Sequence, residues 1–561
     1  MSNQTWTQVY YPWGQWLWPL STLAAAFPVV VLFGFLLKRS RPHVAAISGA
    51  AASLVCAMAC FGMPAHLAAA SFFYGAAFGM LRICWIVVTA VFLYDITVDS
   101  GQFAILRESV ASISADRRLQ ALLIAFSFGA FIEGAAGFGS PVAISAAVMV
   151  GLGFNPFYAA ALCLIANTAP VAFGSIGTPI HTLALVSNLN ESDISAMNAR
   201  ILPLVSPLVA FWLVRTMVGW KQTFEVLPGI LVTGVGFGLT QFYWGNYRDS
   251  NLVDIVASLV SLFGLALFLR FVWRPKTIWR FPEEREAGAA PAAAQGEGPN
   301  RRPRWDIARA WMPFAILTLF VVAWGIPQIK APLEKYTTVF FNFPLLHNTV
   351  FRDVPVVPAK TAEKAPFQLA WLTATGTAAF LAAVVSGLLL GMSPARIFRI
   401  FGGTLHRMRF ALAAIFFMLG LAYVTHYSGM DAVMGLAFTR TGRLYPFFAA
   451  FLGWLGVALT GSDTSSNALF GSLQRITAEQ LGLDPILMVS ANSAGGVMGK
   501  MVAAQTIIVA TAATNQVGQE GALFRFVFWS SIALGAVVGL IVMLYAYVFP
   551  HLVPHGLTFM K

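Results

Sequence analysis

Phe131-Ile-Glu133-Gly-Ala-Ala-Gly137-Phe-Gly139-Ser140-Pro141 is the stretch that decides the fold class of this chain. It sets one carboxylate inside a long apolar run and follows it at once with glycines and a proline. An ionised carboxylate is costly in hydrocarbon, so a membrane carboxylate normally faces a cavity or a partner and marks a pathway. Glycine and proline leave backbone polar groups unpaired, which lipid does not tolerate unless protein, water or ligand meets them. The stretch therefore predicts an interrupted helix at a site inside a membrane protein.

The composition agrees with a membrane protein. Of the 561 residues, 58% are hydrophobic and 10% are charged, and the mean hydropathy is +0.73. A soluble domain usually carries about 25% charged residues. Apolar runs of helix-spanning length recur along the chain, so we expect an all-α polytopic membrane protein with about 12–14 transmembrane helices or half-helices. The net charge of +12 comes from basic residues that cluster between the apolar runs. This placement is typical of cytoplasmic loops and not of a nucleic-acid-binding face.

Charge around the first apolar run predicts its orientation. No charged side chain precedes the run at 17–37, and Lys38, Arg39 and Arg41 follow it. This asymmetry places the N-terminus outside, in the periplasm, and favours an anchor over a cleaved signal peptide. The predicted divisions are N-terminal helices (1–62), a first repeat (63–273) with broken helices at 119–188, a cytoplasmic linker (274–309), connecting helices with a periplasmic segment (310–391), a second repeat (392–549) with broken helices at 445–515, and a C-terminal tail (550–561).

The sequence repeats itself at a nearly fixed offset, which predicts a duplication. The matched pairs are Tyr94-Asp-Ile-Thr97-Val-Asp-Ser100-Gly101 with Ala422-Tyr-Val-Thr425-His426-Tyr-Ser428-Gly429, Leu152-Gly-Phe-Asn155-Pro156 with Leu481-Gly-Leu-Asp484-Pro485, and Ala166-Asn167-Thr-Ala169 with Ala491-Asn492-Ser-Ala494. The segment after Met63 holds one arginine, whereas its counterpart after Met392 holds four. Basic residues mark the inner side, so the two copies are expected to be inverted. In membrane transporters built from inverted repeats, the substrate lies near the midplane of the membrane, between discontinuous helices.

A second polar break lies at 460–467, in the second half of the chain. We expect the two breaks to meet and form a site for a small anion and a proton. Backbone N–H groups at the glycines would approach the carboxylate, hydroxyl and amide side chains would bind a hydroxyl, and Glu133 or Asp463 would carry the proton. The candidate residues are Glu133, Gly137, Gly139, Ser140, Asn167, Thr168, Ser462, Asp463, Thr464, Ser465, Ser466, Asn467, Asn492, Ser493 and Lys500.

Each candidate also has a structural interpretation. Glu133 can be a neutral acid that ties two helices together, and the Ser, Thr, Asp and Asn side chains can be helix caps. Lys500 can pair with the substrate or a carboxylate, or extend from a helix end toward the membrane surface. His181 and His426 are more simply packed residues, and Asp95 with Arg82 is a candidate structural ion pair.

The sequence favours a secondary transporter over other classes. It contains no ATP-binding motif and no nucleophile with its base in a credible setting, so neither a pump nor an enzyme is expected. A channel would favour a continuous polar ring, and no filter-like repeat is present. The four cysteines lack the histidine or carboxylate neighbours of a zinc site. We therefore expect no cofactor and no metal, with the proton as coupling ion.

Two long motifs resemble the bacterial L-lactate permease family. They are Gly129-Ala-Phe-Ile-Glu133-Gly-Ala-Ala-Gly-Phe-Gly139 and Gly461-Ser-Asp-Thr-Ser-Ser-Asn-Ala-Leu-Phe470. The likeness continues through Asn167-Thr-Ala-Pro-Val-Ala-Phe-Gly174 and from Asn492 to Lys500, and it extends over nearly the whole chain. It implies proton-coupled symport of L-lactate, with D-lactate and glycolate as further substrates, across the bacterial inner membrane. It also implies hairpins, inverted repeats, elevator-type movement and, often, a homodimer. The alternative is sodium-coupled uptake of a related small carboxylate.

Overall fold

Helices form most of the protein. The computed structural model describes residues 5–38, 41–137, 140–281, 303–325, 327–357 and 359–559. In the first half the helices are α1 (Trp18–Leu37), α2 (Pro42–Ala59), α3 (Ala65–Phe78), α4 (Trp85–Asp99), α5 (Gln102–Ala111), α6 (Arg117–Ala121), α7 (Gly129–Ala135), α8 (Ser140–Gly151), α9 (Pro156–Ala166), α10 (Gly174–Ser187), α11 (Glu191–Met217), α12 (Trp220–Glu225), α13 (Leu227–Tyr247) and α14 (Val253–Phe271). Most of the predicted linker, at 282–302, lies outside the described residues.

The second half continues the helical series. Its helices are α15 (Arg304–Gly325), α16 (Pro327–Thr337), α17 (Thr375–Leu389), α18 (Pro394–Ser428), α19 (Met430–Phe438), α20 (Tyr445–Thr460), α21 (Asp463–Leu481), α22 (Pro485–Gly499), α23 (Ala504–Ala513) and α24 (Glu520–Tyr547). Within the described residues nine helices are long and apolar enough to cross a membrane. Two bent pairs, α9 with α10 (64°) and α22 with α23 (43°), raise the number to eleven. The predicted helical, polytopic membrane class is confirmed.

Contacts between helix ends define two faces of the molecule. On the N-terminal face, the Gln8 side chain donates to the His426 carbonyl at the end of α18 (3.0 Å). On the linker face, Arg396 at the start of α18 pairs with Asp99 (2.7 Å). Helix α18 has 35 residues and so spans roughly 52 Å between the two faces.

Two helical hairpins enter the molecule from opposite faces. The first hairpin, α7 with α8, is reached through α6, where the Arg117 amide donates to the Trp279 carbonyl near the linker (3.1 Å). The second hairpin, α20 with α21, ends on the N-terminal face, where the Gln480 side chain donates to the Pro355 carbonyl (3.1 Å). Opposite directions agree with the predicted inversion of the two copies. That the copies superpose about an axis in the membrane plane stays a prediction.

Each hairpin is followed by a bent pair of helices, and matched positions share their local structure. Gly101 and Gly429 end their helices in the left-handed region, with φ of 75° and 81°. Asn155 and Asp484 cap α9 and α22 by accepting from backbone amides at 3.0 and 2.9 Å. A proline follows each cap, where its missing N–H costs nothing. The shared caps support the duplication that the sequence predicts.

Two local expectations are wrong. After Met63 the sequence predicts an amphipathic segment and then a separate span at about 83–96, whereas α3 and α4 form one 35-residue span, Ala65–Asp99, through the π-helical turn Gly79–Cys84. Asp95 and Arg82 do not pair, because thirteen residues along one helix separate them by roughly 20 Å. Asp95 instead contacts Arg407 and Thr404, and Arg82 donates to Gln368 (3.0 Å).

Short strands, which were not expected, lie in the N-terminal segment and in the polar segment that follows α16. The strands are β1 (Trp6–Thr7), β2 (Thr338–Asn342), β3 (Val350–Arg352), β4 (Thr361–Ala362) and β5 (Pro366–Ala370). β1 pairs in parallel with β3, β4 pairs antiparallel with β3, and β5 pairs antiparallel with β2. The sequence predicts a membrane span at 367–390, but β5 occupies its start, so the helix there begins later, in α17. These strands tie the N-terminal segment to the N-terminal face.

Candidate functional site

Four breaks in the helices meet at one cavity of about 130 Å³. They are the first hairpin near its tip, at Glu133, the tip of the second hairpin, and the bend of each bent pair. The cavity therefore receives residues from both halves of the chain, as the sequence predicts for its two breaks. Its lining residues are Glu133, Val171, Gly174, Ser175, Pro179, Gly461, Ser462, Asp463, Thr464, Lys500, Gln505, Thr506 and Val509.

The first-half wall is held by a left-handed turn. Ser175, Ile176 and Gly177 all have positive φ, at 46°, 56° and 71°. This backbone is unfavourable for Ser and still more so for β-branched Ile, so the surrounding contacts must hold it in place. The Ser175 hydroxyl donates to the Ala136 carbonyl at the tip of the first hairpin (2.8 Å). The turn therefore fixes the bend of α9 and α10 against that tip.

Glu133 faces this turn from α7. Its side chain is buried, with 3% of the residue exposed, and its Oε2 has no hydrogen-bond partner among the described residues. A Cβ placed on Gly174 would lie 2.9 Å from Glu133 Oε1, so only glycine allows the backbone to come this close. The buried Asn167 amide lies beside the carboxyl but forms no hydrogen bond within the described structure. Glu133 is thus held by packing and keeps an oxygen available for a proton.

Asp463 faces the cavity from the first turn of α21. Its Oδ2 accepts hydrogen bonds from Ser493 (2.5 Å) and Asn467 (3.1 Å). Its Oδ1 is buried and has no partner among the described residues. A Cβ on Gly496 would lie 2.4 Å from that oxygen. One oxygen of Asp463 is therefore fixed, and the other can accept a proton or meet a ligand.

Lys500 supplies the cation of the cavity. Its ammonium donates to the Gly461 carbonyl (2.8 Å), where α20 ends in the left-handed conformation with φ of 74°. A cation at the C-terminus of a helix is favoured by the helix dipole. Lys500 acts electrostatically on both Glu133 and Asp463, although within the described structure it forms no ion pair with either. It is 4% exposed, so it does not extend toward the membrane surface as the alternative interpretation had it.

Three helices present their N-terminal ends to the cavity. They are α21 at Asp463 and Thr464, α23 at Gln505 and Thr506, and α10 at its left-handed turn. The first N–H groups of a helix have no intrahelical acceptor, and the helix dipole adds partial positive charge there. Helix N-termini and an ammonium together make a site for a small anion.

Some predicted site residues support the cavity from behind. The Asn492 side chain donates to Oδ1 of the Asn467 side chain (2.9 Å), and the Asn467 side-chain amide in turn donates to Asp463. The hydroxyls of Thr168 and Ser466 donate to backbone carbonyls, at 2.8 and 3.1 Å. These bonds fit positioning and capping, and a direct binding role for these four residues stays a prediction.

The remaining predicted residues have mixed positions. Gly137, with φ of 59°, turns the chain at the first hairpin tip, and a Cβ there would lie 2.1 Å from Ser175 Oγ. Ser462 caps α21 by accepting from the Ser465 amide (3.3 Å). Gly139 and the side chain of Ser140 lie outside the described residues. Roles for all of them in binding stay predictions.

Several lining residues were not among the sequence candidates. Gly174, Ser175 and Pro179 belong to a break that the sequence did mark, so their glycine and proline spacing was the available signal. Gln505 and Thr506 carry a weaker signal, since they are one polar pair at the start of an otherwise apolar helix. Val171 and Val509 are ordinary apolar residues, and no sequence pattern distinguishes them from core.

The two histidines lie away from the cavity lining. His181 pairs with Glu191 (2.9 Å), and His426 lies between Glu363 (3.8 Å) and Asp431 (3.3 Å) at the N-terminal face. Among the residues that the structure describes, no group of three His, Cys, Asp or Glu side chains is arranged to hold a metal ion.

The sequence matches known proteins over nearly its whole length. A family model described as L-lactate permease matches residues 21–549. This chain belongs to the L-lactate permease family. It is 47% identical over 555 residues to the glycolate permease GlcA of Escherichia coli K12, covering 97% of this chain and 99% of that protein. It is 44% identical over 568 residues to the L-lactate permease of Bacillus subtilis 168, covering 98% and 100%.

Among solved structures, this permease-family chain has a distant likeness to the YdaH transporter of Alcanivorax borkumensis. The sequence identity is 14% and the TM-score is 0.43, over 83% of this chain and 86% of that one.

Proposed function

We propose that this chain is a secondary transporter that carries lactate, glycolate and similar 2-hydroxy monocarboxylates together with a proton. The observation that carries the proposal is the meeting of Glu133, Asp463 and Lys500 at one cavity between four helix breaks. The names of the related permeases support the substrate class. Those names also favour a transporter over an enzyme.

The substrate carboxylate is assigned to the cationic part of the cavity. Lys500 and the first turns of α21 and α23 offer an ammonium and backbone N–H groups. The hydroxyls of Ser462, Thr464 and Thr506 and the Gln505 amide are within the same lining and suit a 2-hydroxyl group, which both donates and accepts. A cavity of about 150 Å³ holds benzene, which has about as many heavy atoms as lactate. The volume here, about 130 Å³, suits a molecule of that size or slightly smaller.

The charge of the lining supports one proton for each monocarboxylate. With both carboxyls ionised and Lys500 protonated, the three side chains carry one net negative charge. Binding one monocarboxylate anion while one carboxyl takes up a proton leaves that net charge unchanged. A loaded and an empty site then cross the membrane with equal charge, so a pH gradient drives transport and the membrane potential contributes little.

A proton, and not sodium, is the proposed coupling ion. The Gly461 carbonyl at the end of α20 is the kind of oxygen that coordinates Na⁺ in transporters with broken helices. Here the Lys500 ammonium already bonds it. A fixed internal cation in that position supports coupling through the carboxyls.

The proposed location is the bacterial inner membrane, with the N-terminal face toward the periplasm. Arg117, Arg118, Arg396 and Arg309 lie at the linker face, and an excess of basic residues is typical of the cytoplasmic side. Assembly as a homodimer stays a prediction.

The test is uptake of radiolabelled L-lactate by proteoliposomes under an imposed pH gradient, with and without sodium. We expect accumulation that follows the pH gradient and is indifferent to sodium. Glu133→Gln should lose gradient-driven accumulation at least tenfold and keep lactate exchange, because exchange needs no net proton release. Glu479→Gln, at a half-buried pair with Arg475 outside the cavity, is the matched control and should behave as the wild type. Accumulation that requires sodium would reject proton coupling, and normal accumulation by Glu133→Gln would remove that residue from the proton step.

A further inference from the structure

A second buried carboxyl lies behind Glu133, outside the cavity lining. Asp254 is in the first turn of α14 and has no exposed surface. Neither of its carboxyl oxygens has a hydrogen-bond partner among the described residues. Burying an ionised carboxyl without partners is costly, and most buried carboxyls in proteins are hydrogen-bonded or paired. Asp254 therefore needs an explanation other than structural capping.

Asp254 and Glu133 are neighbours across the contact of α14 with α7. A Cβ on Gly134, the residue after Glu133, would lie 2.9 Å from Asp254 Cβ, so the two helices touch at this point. The Glu133 carboxyl is close enough to act electrostatically on Asp254. Two like charges in a buried setting repel strongly, and such a pair is most stable with one proton between the two groups.

A chain of titratable and polar groups continues from Asp254 toward solvent. Asn251 lies three residues earlier, at the turn that leads into α14, and its side-chain oxygen bonds His181 Nε2 (2.8 Å). The other ring nitrogen of His181 contacts Glu191 (2.9 Å), whose side chain is 36% exposed. Arg82 also acts electrostatically on His181.

This series of side chains, from Asp254 to Glu191, reaches the N-terminal face and lies against the cavity wall. The Ser187 carbonyl, at the end of α10, accepts from Arg475 of the second hairpin (2.7 Å), which places this end of α10 at the N-terminal face. A Cβ on Gly177, in the left-handed turn beside the cavity, would lie 2.4 Å from the Ser250 carbonyl. The loop before α14 thus packs directly against the break that lines the site.

We propose that Asp254 is a proton-relay residue that exchanges the coupling proton between Glu133 and the His181–Glu191 pair. The proposal rests on the proposed proton symport. The Asp254 acid gives its proton to the Glu133 carboxylate and becomes ionised. The Asp254 carboxylate then takes a proton from protonated His181 through a water at the Asn251 turn. Only protons move, and Asp254 and His181 regain their starting charges once His181 takes up the next proton through Glu191.

The test compares net proton movement with lactate exchange in proteoliposomes. Asp254→Asn should keep lactate counterflow within twofold of the wild type, because counterflow needs no net proton transfer. Its accumulation under a pH gradient should fall at least tenfold, with proton influx, read from a trapped pH-sensitive dye, falling in parallel. Asp193→Asn is the matched control, because Asp193 is also buried but accepts hydrogen bonds from the Gly556 and Leu557 amides (2.9 and 2.8 Å). It should show the wild-type accumulation ratio.

Three results would overturn the relay. The first is wild-type accumulation by Asp254→Asn, and the second is loss of counterflow together with accumulation in a variant of normal thermal stability. The third concerns the case in which Asp254→Asn is not recovered from membranes, and it uses His181→Gln instead. If the ratio of proton influx to lactate counterflow in His181→Gln equals that of the wild type, the route is rejected. Failure of the wild type to accumulate lactate under a pH gradient would instead reject the proposed symport itself.

Discussion

Adding one methyl group at Gly496 should displace the Asp463 carboxylate and weaken substrate binding. In Gly496→Ala the new Cβ would lie 2.4 Å from Asp463 Oδ1, whereas ordinary contact begins at about 3.4 Å. The carboxylate must therefore move by roughly 1 Å. Its hydrogen bond from Ser493, at 2.5 Å, does not survive a shift of that size. A hydrogen bond to a charged group contributes about 1.5–3 kcal/mol, which corresponds to roughly a 10- to 150-fold change in binding.

The control for this substitution is Gly264→Ala. Gly264 is also a helical glycine, in α14, and a Cβ there meets nothing within 4 Å. Both variants gain about 1 kcal/mol of helix propensity, so that contribution cancels in the comparison. The assay is the KM of lactate uptake by proteoliposomes, with thermal unfolding in detergent measured in parallel. A KM for Gly496→Ala within twofold of the control would refute the assignment of Asp463 to the site.

Two further substitutions probe the cation of the cavity and the N-terminal face. Lys500→Met should abolish the stabilisation of the protein by lactate in thermal unfolding, because it removes the cation assigned to the substrate carboxylate, and truncating one partner of a buried charge pair weakens binding by roughly 2–5 kcal/mol. Lys500→Arg should retain part of the stabilisation, and an unchanged shift in Lys500→Met would contradict the assigned role. Burial opposes ionisation of Glu363, but the nearby His426 and the ion pair with Arg352 outweigh it and lower the pKa of Glu363 to about 2. The stabilisation by ionised Glu363 is therefore full above about pH 4.5 and lost as the pH falls toward 2, so Glu363→Gln should lower the unfolding temperature at pH 7 and lower it less at pH 4; an equal loss at both would contradict this sign.

The helix breaks could be predicted from the sequence because each one violates a strong local rule. A carboxylate such as Glu133 or Asp463 in an apolar run, followed or preceded by glycine, is costly in lipid and so marks its own position. Caps were equally readable, since Asn155 and Asp484 precede proline at a helix start. The same reasoning linked the two halves, because the matched breaks and caps recur in one order.

Other features could not be read because they depend on contacts between distant segments. Asp254 opens an ordinary apolar helix, and only the packing of α14 on Gly134 brings it beside Glu133. The partner of Asp95 was wrongly predicted since Arg407 is distant in sequence but adjacent in space. The short strands depend on a pairing between the N-terminal segment and β3, which no local pattern indicates.

The two halves repeat one contact and differ in its charge, and this difference suits the lining for coupling. In the first half the Ser175 hydroxyl donates to the Ala136 carbonyl at the hairpin tip, and in the second half the Lys500 ammonium donates to the Gly461 carbonyl, each at 2.8 Å. A glycine, Gly174 or Gly499, immediately precedes each of these donors in the chain. Each half also contributes one carboxyl to the described lining, Glu133 or Asp463, while the cation comes from the second half alone. A lysine in both halves would neutralise both carboxylates permanently. With one lysine, the negative charge of one carboxylate remains uncompensated. This charge is neutralised when the carboxylate takes up a proton as the substrate anion binds.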